Sequence, residues 1–281
     1  MKTGLVLEGG GMRGIYTAGV LDVFMENGIC FDGVMGVSAG AIHGCSYLSN
    51  QHGRSIRYYK QYCGDPRFMS WQSLIKTGDF VGVDFCYHEL PEKLDVYDNE
   101  AFMRCGVPFY VGCTNVETGK PEYIQITDMN AQIDFLRASA SLPYFSRIVE
   151  TGGKKLLDGG CTDSVPVEAF QRMGYGKNVV VLTRPSDYRK KEEFRAMPGL
   201  VYRRYPAFVK ALQNRHNAYN QQAAKIKMME RAGNIFVIRP EKALEIGRLE
   251  NDPGKVQGIY DRGRADALSR LDQMKAWMDH A

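Results

Sequence analysis

One serine of the chain stands in a sequence context that activates hydroxyl groups. Ser38 is the centre of a G-x-S-x-G pentapeptide between Gly36 and Gly40, and it follows an apolar run at residues 34–37. A serine on a sharp turn between a strand and a helix projects its hydroxyl away from the sheet, and flanking glycines leave room for the neighbouring backbone. The helix that follows adds partial positive charge near the hydroxyl oxygen. The pattern predicts a nucleophile at Ser38, although so short a motif also arises by chance.

A glycine-rich stretch near the N-terminus has the composition of an anion-binding loop. It comprises, in order, Gly9, Gly10, Gly11, Met12, Arg13 and Gly14. A predicted strand (residues 3–7) precedes the stretch, and a predicted helix (residues 15–27) follows it. In a parallel sheet this turn and the turn at Ser38 lie at the same edge, on strands about 5 Å apart. The backbone N–H groups of Gly10, Gly11 and Met12 would then face the serine hydroxyl, which predicts an oxyanion hole.

The same stretch also fits the dinucleotide-binding pattern G-x-G-x-x-G through Gly9, Gly11 and Gly14. That fold requires an acidic residue near the end of the second strand to hold the ribose. Here the second predicted strand ends in the pentapeptide that contains Ser38. This mismatch disfavours a dinucleotide-dependent oxidoreductase.

One aspartate is a candidate base for the serine. Asp158 is followed by Gly159 and Gly160 and ends a short predicted strand at residues 155–157. An Asp-Gly pair is more often a simple turn, but a base is also placed at such a point when a reacting group must approach the backbone. Ser38, Asp158 and His216 occur in the order of an α/β-hydrolase triad. That fold needs several strands before its nucleophile, whereas this chain has room for one, and a helix-surface role is favoured for His216.

The predicted elements indicate an α/β protein. Strands are predicted at residues 3–7, 34–37, 109–114, 122–127, 155–157, 178–182 and 234–238. Helices are predicted at residues 15–27, 54–62, 131–137 and 206–232, with one or two more within 256–278. The opening strand-helix-strand-helix order implies a parallel sheet with right-handed crossovers. The aromatic residues of 55–102 are interpreted as core in preference to a lid or an acyl-chain pocket.

The composition is that of a soluble globular enzyme. The 281 residues are 44% hydrophobic and 24% charged, and the formal net charge of +4 gives little support for nucleic-acid binding. Seven cysteines without a C-x-x-C pair argue against a disulfide framework and a structural zinc site, so we expect a cytoplasmic protein. The apolar run at residues 4–7 is too short for a signal peptide. Residues 33–53 lack charged side chains but contain the Ser38 turn and several polar residues, so no transmembrane segment is expected.

The segment from Arg184 to Arg231, named here the basic region, has twelve basic residues against four acidic ones. Such an excess is typical of a solvated helical face and equally of a surface for anionic headgroups. The second interpretation predicts peripheral contact with anionic membranes.

Four motifs taken together resemble those of the patatin-like phospholipases. They are the glycine loop that starts at Gly9, the pentapeptide around Ser38, the sequence Ala-Ser-Ala-Ser-Leu-Pro at residues 138–143, and Asp158 with its two glycines. Their order and spacing extend over residues 3 to about 183, which makes the resemblance far more specific than any one motif. It implies a three-layer α/β/α fold with a mainly parallel central sheet, a catalytic domain at residues 1–183 and a mainly helical extension at 184–281 packed on it.

The resemblance also implies a role for each motif. Ser38 would be the nucleophile and Asp158 its base, while the amides of Gly10, Gly11 and Met12 would bind the oxyanion and Arg13 would hold their loop. Ser139 and Pro143 would shape a nearby loop without taking a chemical step. The remaining motif glycines would support these turns: Gly9, Gly14, Gly36, Gly40, Gly159 and Gly160. The implied substrate is a phospholipid or lysophospholipid, with no metal or cofactor. The alternative is an inactive lipid-binding or regulatory module, and the oligomeric state stays open.

Overall fold

The computed structural model describes residues 1–192, 196–247 and 250–279. Arg195 of the basic region therefore lies outside the described residues. The strands are β1 (Thr3–Leu7), β2 (Gly33–Val37), β3 (Phe109–Asn115), β4 (Lys120–Ile126), β5 (Val149–Thr151), β6 (Lys154–Asp158), β7 (Lys177–Val181) and β8 (Ile235–Ile238). The α-helices are α1 (Ile15–Glu26), α2 (Ala39–Leu48), α3 (Arg54–Tyr62), α4 (Trp71–Thr77), α5 (Asn99–Cys105), α6 (Met129–Ser139), α7 (Val167–Arg172), α8 (Met197–Val201), α9 (Pro206–Arg231) and α10 (Pro253–Asp279). Short 3₁₀ turns occupy Gly11–Gly14 and Gly159–Cys161, and a π-helix occupies Phe85–Leu94.

Most predicted elements lie within a few residues of the observed ones. The helix predicted from residue 131 begins at Met129 because the Asp128 carboxylate caps it, accepting bonds from the N–H groups of Asn130 and Ala131. The strand β5 and the helices α4, α5, α7 and α8 were not predicted. All of them have seven residues or fewer, so they carry little periodic signal.

The strands form a single mixed sheet. β3, β2, β1, β7 and β8 are neighbours in that order and run parallel, as the βαβα opening predicts. β4 and β6 both pair antiparallel with β3, and β5 pairs antiparallel with β6. The predicted parallel centre is therefore present, and antiparallel strands complete one side.

The sheet is covered by helices on both faces. Along β1, the side chains of Leu5 and Leu7 join one buried cluster and that of Val6 joins another, as the twofold periodicity of a strand requires. α1 and α10 contribute to the first cluster, and Phe170 of α7 and Ile226 of α9 belong to the second. The fold is thus the three-layer α/β/α arrangement that was predicted.

Three strands compete for the two edges of β3. β4 pairs with all of β3, so β2 and β6 must share the opposite edge. On that edge Val37 pairs with Gly112 and Asp158 pairs with Cys113. Because β2 runs parallel to β3 and β6 runs antiparallel to it, the C-terminal ends of β2 and β6 meet head to head. The residues that end the two strands are consequently neighbours in space.

The C-terminal residues add to the same sheet and layers. β8 pairs with β7, and α10 packs along α1 at a point where both helices carry glycine. A Cβ on Gly263 would lie 2.0 Å from the carbonyl oxygen of Tyr16, so only glycine allows this approach. The boundary at residues 183 and 184 stays a prediction.

The described helices include two of 26 and 27 residues, α9 and α10. Neither these nor the shorter helices of the described ranges combine the length and apolar character needed to cross a bilayer.

Candidate active site

Ser38 occupies the turn between β2 and α2 in a strained backbone conformation. Its φ of 55° and ψ of −126° lie in a region that residues other than glycine rarely adopt. The flanking glycines permit the turn, since a Cβ on Gly36 would lie 2.6 Å from the Cα of Ala41 and one on Gly40 would lie 2.5 Å from the carbonyl oxygen of Leu7. The surrounding contacts hold Ser38 in the geometry of a nucleophile elbow.

A neighbouring serine fixes this turn from outside. The hydroxyl of Ser139 accepts a hydrogen bond of 2.9 Å from the Ser38 N–H and donates one of 2.7 Å to the carbonyl oxygen of Gly112. Ser139 is fully buried at the end of α6. Two residues further on, the carbonyl oxygen of Ser141 accepts a 2.8 Å bond from the Asp158 N–H. The predicted loop-shaping motif at residues 138–143 therefore links the two strand ends that carry Ser38 and Asp158.

Asp158 is buried at the end of β6, with 2% of its surface exposed. Its Oδ1 accepts a 2.7 Å hydrogen bond from the Gly160 N–H, and its Oδ2 has no conventional hydrogen-bond partner among the described residues. Burial raises the pKa of the carboxyl group, and the nearby Ser38 side chain and the charges of Arg215 and Lys190 oppose part of this rise. A buried carboxylate with a raised pKa is a stronger base than an exposed one.

The glycine loop lies beside Ser38. Leu7 pairs with Gly36 in the sheet, which brings Gly9 so close that a Cβ there would be 2.9 Å from the Cβ of Ser38. Within the described chain, no acceptor is bonded to the amides of Gly10, Gly11 or Met12. These residues, Arg13 and Ser38 line one cavity. The arrangement offers backbone donors next to a hydroxyl.

The remaining motif glycines lie where helices and strands approach this site. A Cβ on Gly14 would lie 2.5 Å from that of Ala39, and one on Gly159 would lie 2.3 Å from the carbonyl oxygen of Gly112. Gly160 donates to Asp158 as described above and also lines the cavity.

Glu8 is a buried acid that sequence reasoning left without a role. It directly precedes the glycine loop, and its carboxylate accepts bonds of 2.5 Å from the Thr183 N–H and 2.8 Å from the Tyr219 hydroxyl. Burial and this carboxylate raise the pKa of Tyr219. Glu8 thus connects the start of the loop to α9, and its one sequence signal is an acid at the end of an apolar strand.

The cavity has a volume of about 690 Å³, within the range of small-molecule sites. One wall consists of apolar and aromatic side chains, many from residues 55–102, including Tyr58, Tyr59, Phe68 and Phe80. These four are buried, as the core interpretation requires, but they also form the cavity wall. Trp71 of α4 lines the cavity as well and is 56% exposed. The segment therefore contributes to the core, as predicted, and also lines a pocket, which was the second interpretation.

A further part of the lining comes from beyond residue 183 and contains three basic side chains. Arg184, Lys190 and Arg215 line it, together with Tyr188 and Tyr219. The Arg215 guanidinium donates a 2.7 Å hydrogen bond from Nε to the carbonyl oxygen of Gly160. Arg215 could not be selected from the sequence, because the face of α9 that meets the Asp158 motif depends on packing.

The histidines differ in whether they line the cavity. His216 follows Arg215 on α9 but does not line the cavity, and neither does His43. Burial lowers the pKa of His43 to about 3, and its Nδ1 lies 2.9 Å from the Ser55 hydroxyl. His88 lines the cavity from the π-helix, with Nδ1 3.4 Å from a carboxylate oxygen of Glu92.

Comparisons with known proteins give matches over most of the chain. A family model described as patatin-like phospholipase matches residues 5–170, and a domain of unknown function, DUF6363, matches residues 205–279. The uncharacterized protein YjjU of Escherichia coli is 30% identical over 269 residues, which cover 94% of this chain and 75% of that protein. The chain belongs to the patatin-like phospholipase family. This confirms the predicted family and the predicted enzyme class, a lipid acyl hydrolase.

More distant relatives carry names that specify a substrate. The lysophospholipase NTE1 of Debaryomyces hansenii is 25% identical over 281 residues, and that of Saccharomyces cerevisiae is 29% identical over 279. The matches cover 98% and 97% of this chain but only 17% and 15% of those proteins. The crystal structure of VipD from Legionella pneumophila is similar with a TM-score of 0.47 and 14% identity, over 97% of this chain and 67% of that one.

Proposed function

We propose that the protein is a serine acyl hydrolase that cleaves fatty-acyl esters of phospholipids or lysophospholipids through a dyad of Ser38 and Asp158. The observation that carries the proposal is the shared edge of β3, where the ends of β2 and β6 bring a strained serine next to a buried carboxyl group. Family membership and the relatives named lysophospholipase support the class of substrate.

The proposed reaction proceeds in two halves. The Ser38 hydroxyl attacks the ester carbonyl while Asp158 takes its proton, and the resulting oxyanion accepts hydrogen bonds from the amides of Gly10, Gly11 and Met12. Asp158 then gives the proton to the departing alcohol, which leaves an acyl group on Ser38. Water attacks this acyl-enzyme with Asp158 again as base, releasing the fatty acid and restoring the serine. A carboxylate is a weaker base than imidazole, and the burial of Asp158 offsets part of this difference.

The cavity supports a substrate with one long apolar chain. Its aromatic wall provides a desolvated surface for an acyl chain, and burial of each methylene is worth about 0.8 kcal/mol. We propose that contact with membranes is peripheral and involves exposed members of the basic region.

Labelling with a fluorophosphonate probe tests the proposal. The probe should modify the wild-type protein at Ser38, as located by peptide mass spectrometry, and leave the Ser38→Ala variant unmodified. The wild type should also cleave p-nitrophenyl butyrate slowly. If the folded wild-type protein is neither labelled nor active, the result would support the alternative hypothesis, an inactive lipid-binding or regulatory module.

A further inference from the structure

Three basic side chains of the C-terminal part converge on the cavity that contains Ser38. Arg184 follows β7 by three residues, Lys190 lies in the next loop, and Arg215 projects from α9. All three are only partly exposed. A cavity lined by these three cations and by many aromatic side chains is suited to a ligand with an anionic part and an apolar part.

Aromatic rings hold these cations in place. The Arg184 guanidinium lies 4.2 Å from the ring centroid of Tyr188, which packs edge to face against Tyr219. The Lys190 ammonium lies 5.2 Å from the Tyr219 ring, and the backbone of Lys190 exchanges hydrogen bonds of 2.8 and 2.9 Å with the Asn220 side chain. The positions are therefore fixed before any ligand arrives, which reduces the entropic cost of binding.

The carboxyl groups that line the cavity make their hydrogen bonds to groups other than Arg184 and Arg215. Glu8 accepts from Thr183 and Tyr219, Asp158 accepts from Gly160, and Glu92 lies beside His88. The charges of Arg215 and Lys190 act on Asp158 without direct contact and partly oppose the rise in its pKa. Among the described residues, neither Arg184 nor Arg215 forms an ion pair with an acidic side chain. Partly buried guanidinium groups without a carboxylate partner favour an anion that can accept several hydrogen bonds, and phosphate does so with its fixed oxygens.

We propose that Arg184, Arg215 and Lys190 bind the phosphate of a lysophospholipid headgroup. This inference rests on the proposed function and assigns a role to the C-terminal part of the chain. The acyl chain then occupies the aromatic wall. The ester lies at Ser38, because the contact between Arg215 and Gly160 puts the cationic end directly beside Asp158.

A matched pair of soluble substrates tests the assignment. 1-Octanoylglycerol 3-phosphate and 1-octanoylglycerol share the acyl chain and the ester, and both are used below their micelle concentrations. The Arg184→Gln variant should lose about tenfold in kcat/KM on the phosphate substrate, as expected for a charge-assisted hydrogen bond, and change little on the neutral one. Arg184→Lys should keep part of the preference. Arg204→Gln, which removes an exposed arginine outside the cavity, is the matched control.

Binding measurements distinguish a lipid headgroup from free phosphate as the ligand of these basic side chains. Calorimetry with the Ser38→Ala variant should give tighter binding of the octanoyl phosphate than of octanoylglycerol, and the Arg184→Gln substitution in that background should remove the difference. Tight binding of inorganic phosphate without any preference between the two lipids would make this a free-phosphate site and overturn the assignment. An unchanged preference in Arg184→Gln would overturn it too. Absence of turnover and labelling in the wild type would contradict the proposed function instead, while calorimetry would still decide the headgroup site.

Discussion

Ser38 and Asp158 are positioned in a different way from the cavity-lining side chains of the basic region. Ser38 and Asp158 lie at strand ends, where sheet pairing and the hydrogen bonds of Ser139 and Gly160 fix them. In the basic region, the orientation of α9 about its axis determines which side chains face the cavity. Arg215 lines the cavity, whereas Lys210 on the same helix is exposed. Adjacent strand ends therefore bring Ser38 and Asp158 close together, whereas α9 places some of its basic side chains in the cavity and others on the surface.

The largest expected effect follows from removal of the proposed base. Asp158→Asn should lower kcat on a soluble ester by about 10³-fold or more, because the amide cannot accept the serine proton. His216→Ala should retain most of the activity, since His216 does not line the cavity. Loss of hydrolysis in a folded His216→Ala or His88→Ala variant would refute the dyad.

The same substitution has an opposite effect on stability. The pKa of Asp158 is raised in the folded protein above that of the unfolded chain. Ionisation of Asp158 therefore destabilises the fold progressively as the pH rises from the unfolded to the folded pKa, and the full cost applies above the folded pKa. Asp158→Asn should therefore have a higher Tm than the wild type at pH 8, and the advantage should shrink as pH falls through the raised pKa. The activity of the wild type should decline over the same acidic range because the base becomes protonated. Thermal melts and kcat measured across pH 4 to 8 check both.

Gly11→Ala should reduce kcat by about 10²-fold through misalignment of the loop amides. The cause is conformational, since Gly11 has a φ of +56° and an added Cβ would meet no atom within 4 Å. Gly28→Ala is a matched control, because Gly28 has a φ of +62° and equally open surroundings at the end of α1. Equal rates for the two variants, measured on one soluble ester, would place the oxyanion donors elsewhere.

Ser139→Ala should reduce kcat about tenfold with little change in KM, because the Ser38 amide loses its acceptor and the strained turn relaxes. Ser141→Ala removes a hydroxyl of the same motif that, among the described residues, bonds only the Arg137 carbonyl oxygen, and the kcat of this variant should stay near that of the wild type. If the two variants lost the same activity, the effect would belong to the motif as a whole rather than to the bond with Ser38.

The smallest effect concerns the exposed members of the basic region. Replacing Arg203, Arg204 and Lys210 with glutamine should weaken binding to anionic vesicles severalfold without changing hydrolysis of a soluble ester. The wild-type affinity should fall as salt is raised. Equal binding of wild type to neutral and anionic vesicles, measured by sedimentation, would remove these charges from membrane contact.

The sequence predicted the parts of the fold and candidate site that depend on local signals. Glycines follow an apolar run at three places: the glycine loop, the Ser38 pentapeptide and Asp158. At each place the apolar run predicts a strand and the glycines mark its end, so both could be recognised. Arg215 and Trp71 could not be selected in this way. Their places in the cavity depend on how α9 and α4 pack, and the periodicity of a helix does not specify which partner its face meets.

The shared edge of β3 also bears on how the protein acquires activity. Ser38 and Asp158 are far apart in the chain and are brought together only when β2 and β6 have both docked on one strand. Contacts between distant segments form slowly, because loop closure must precede any stabilising interaction. During refolding, hydrolysis should therefore recover later than helical circular dichroism does. If Ser38 and Asp158 form the proposed dyad, a chain in which β6 has not yet docked should carry an intact serine motif and no hydrolase activity.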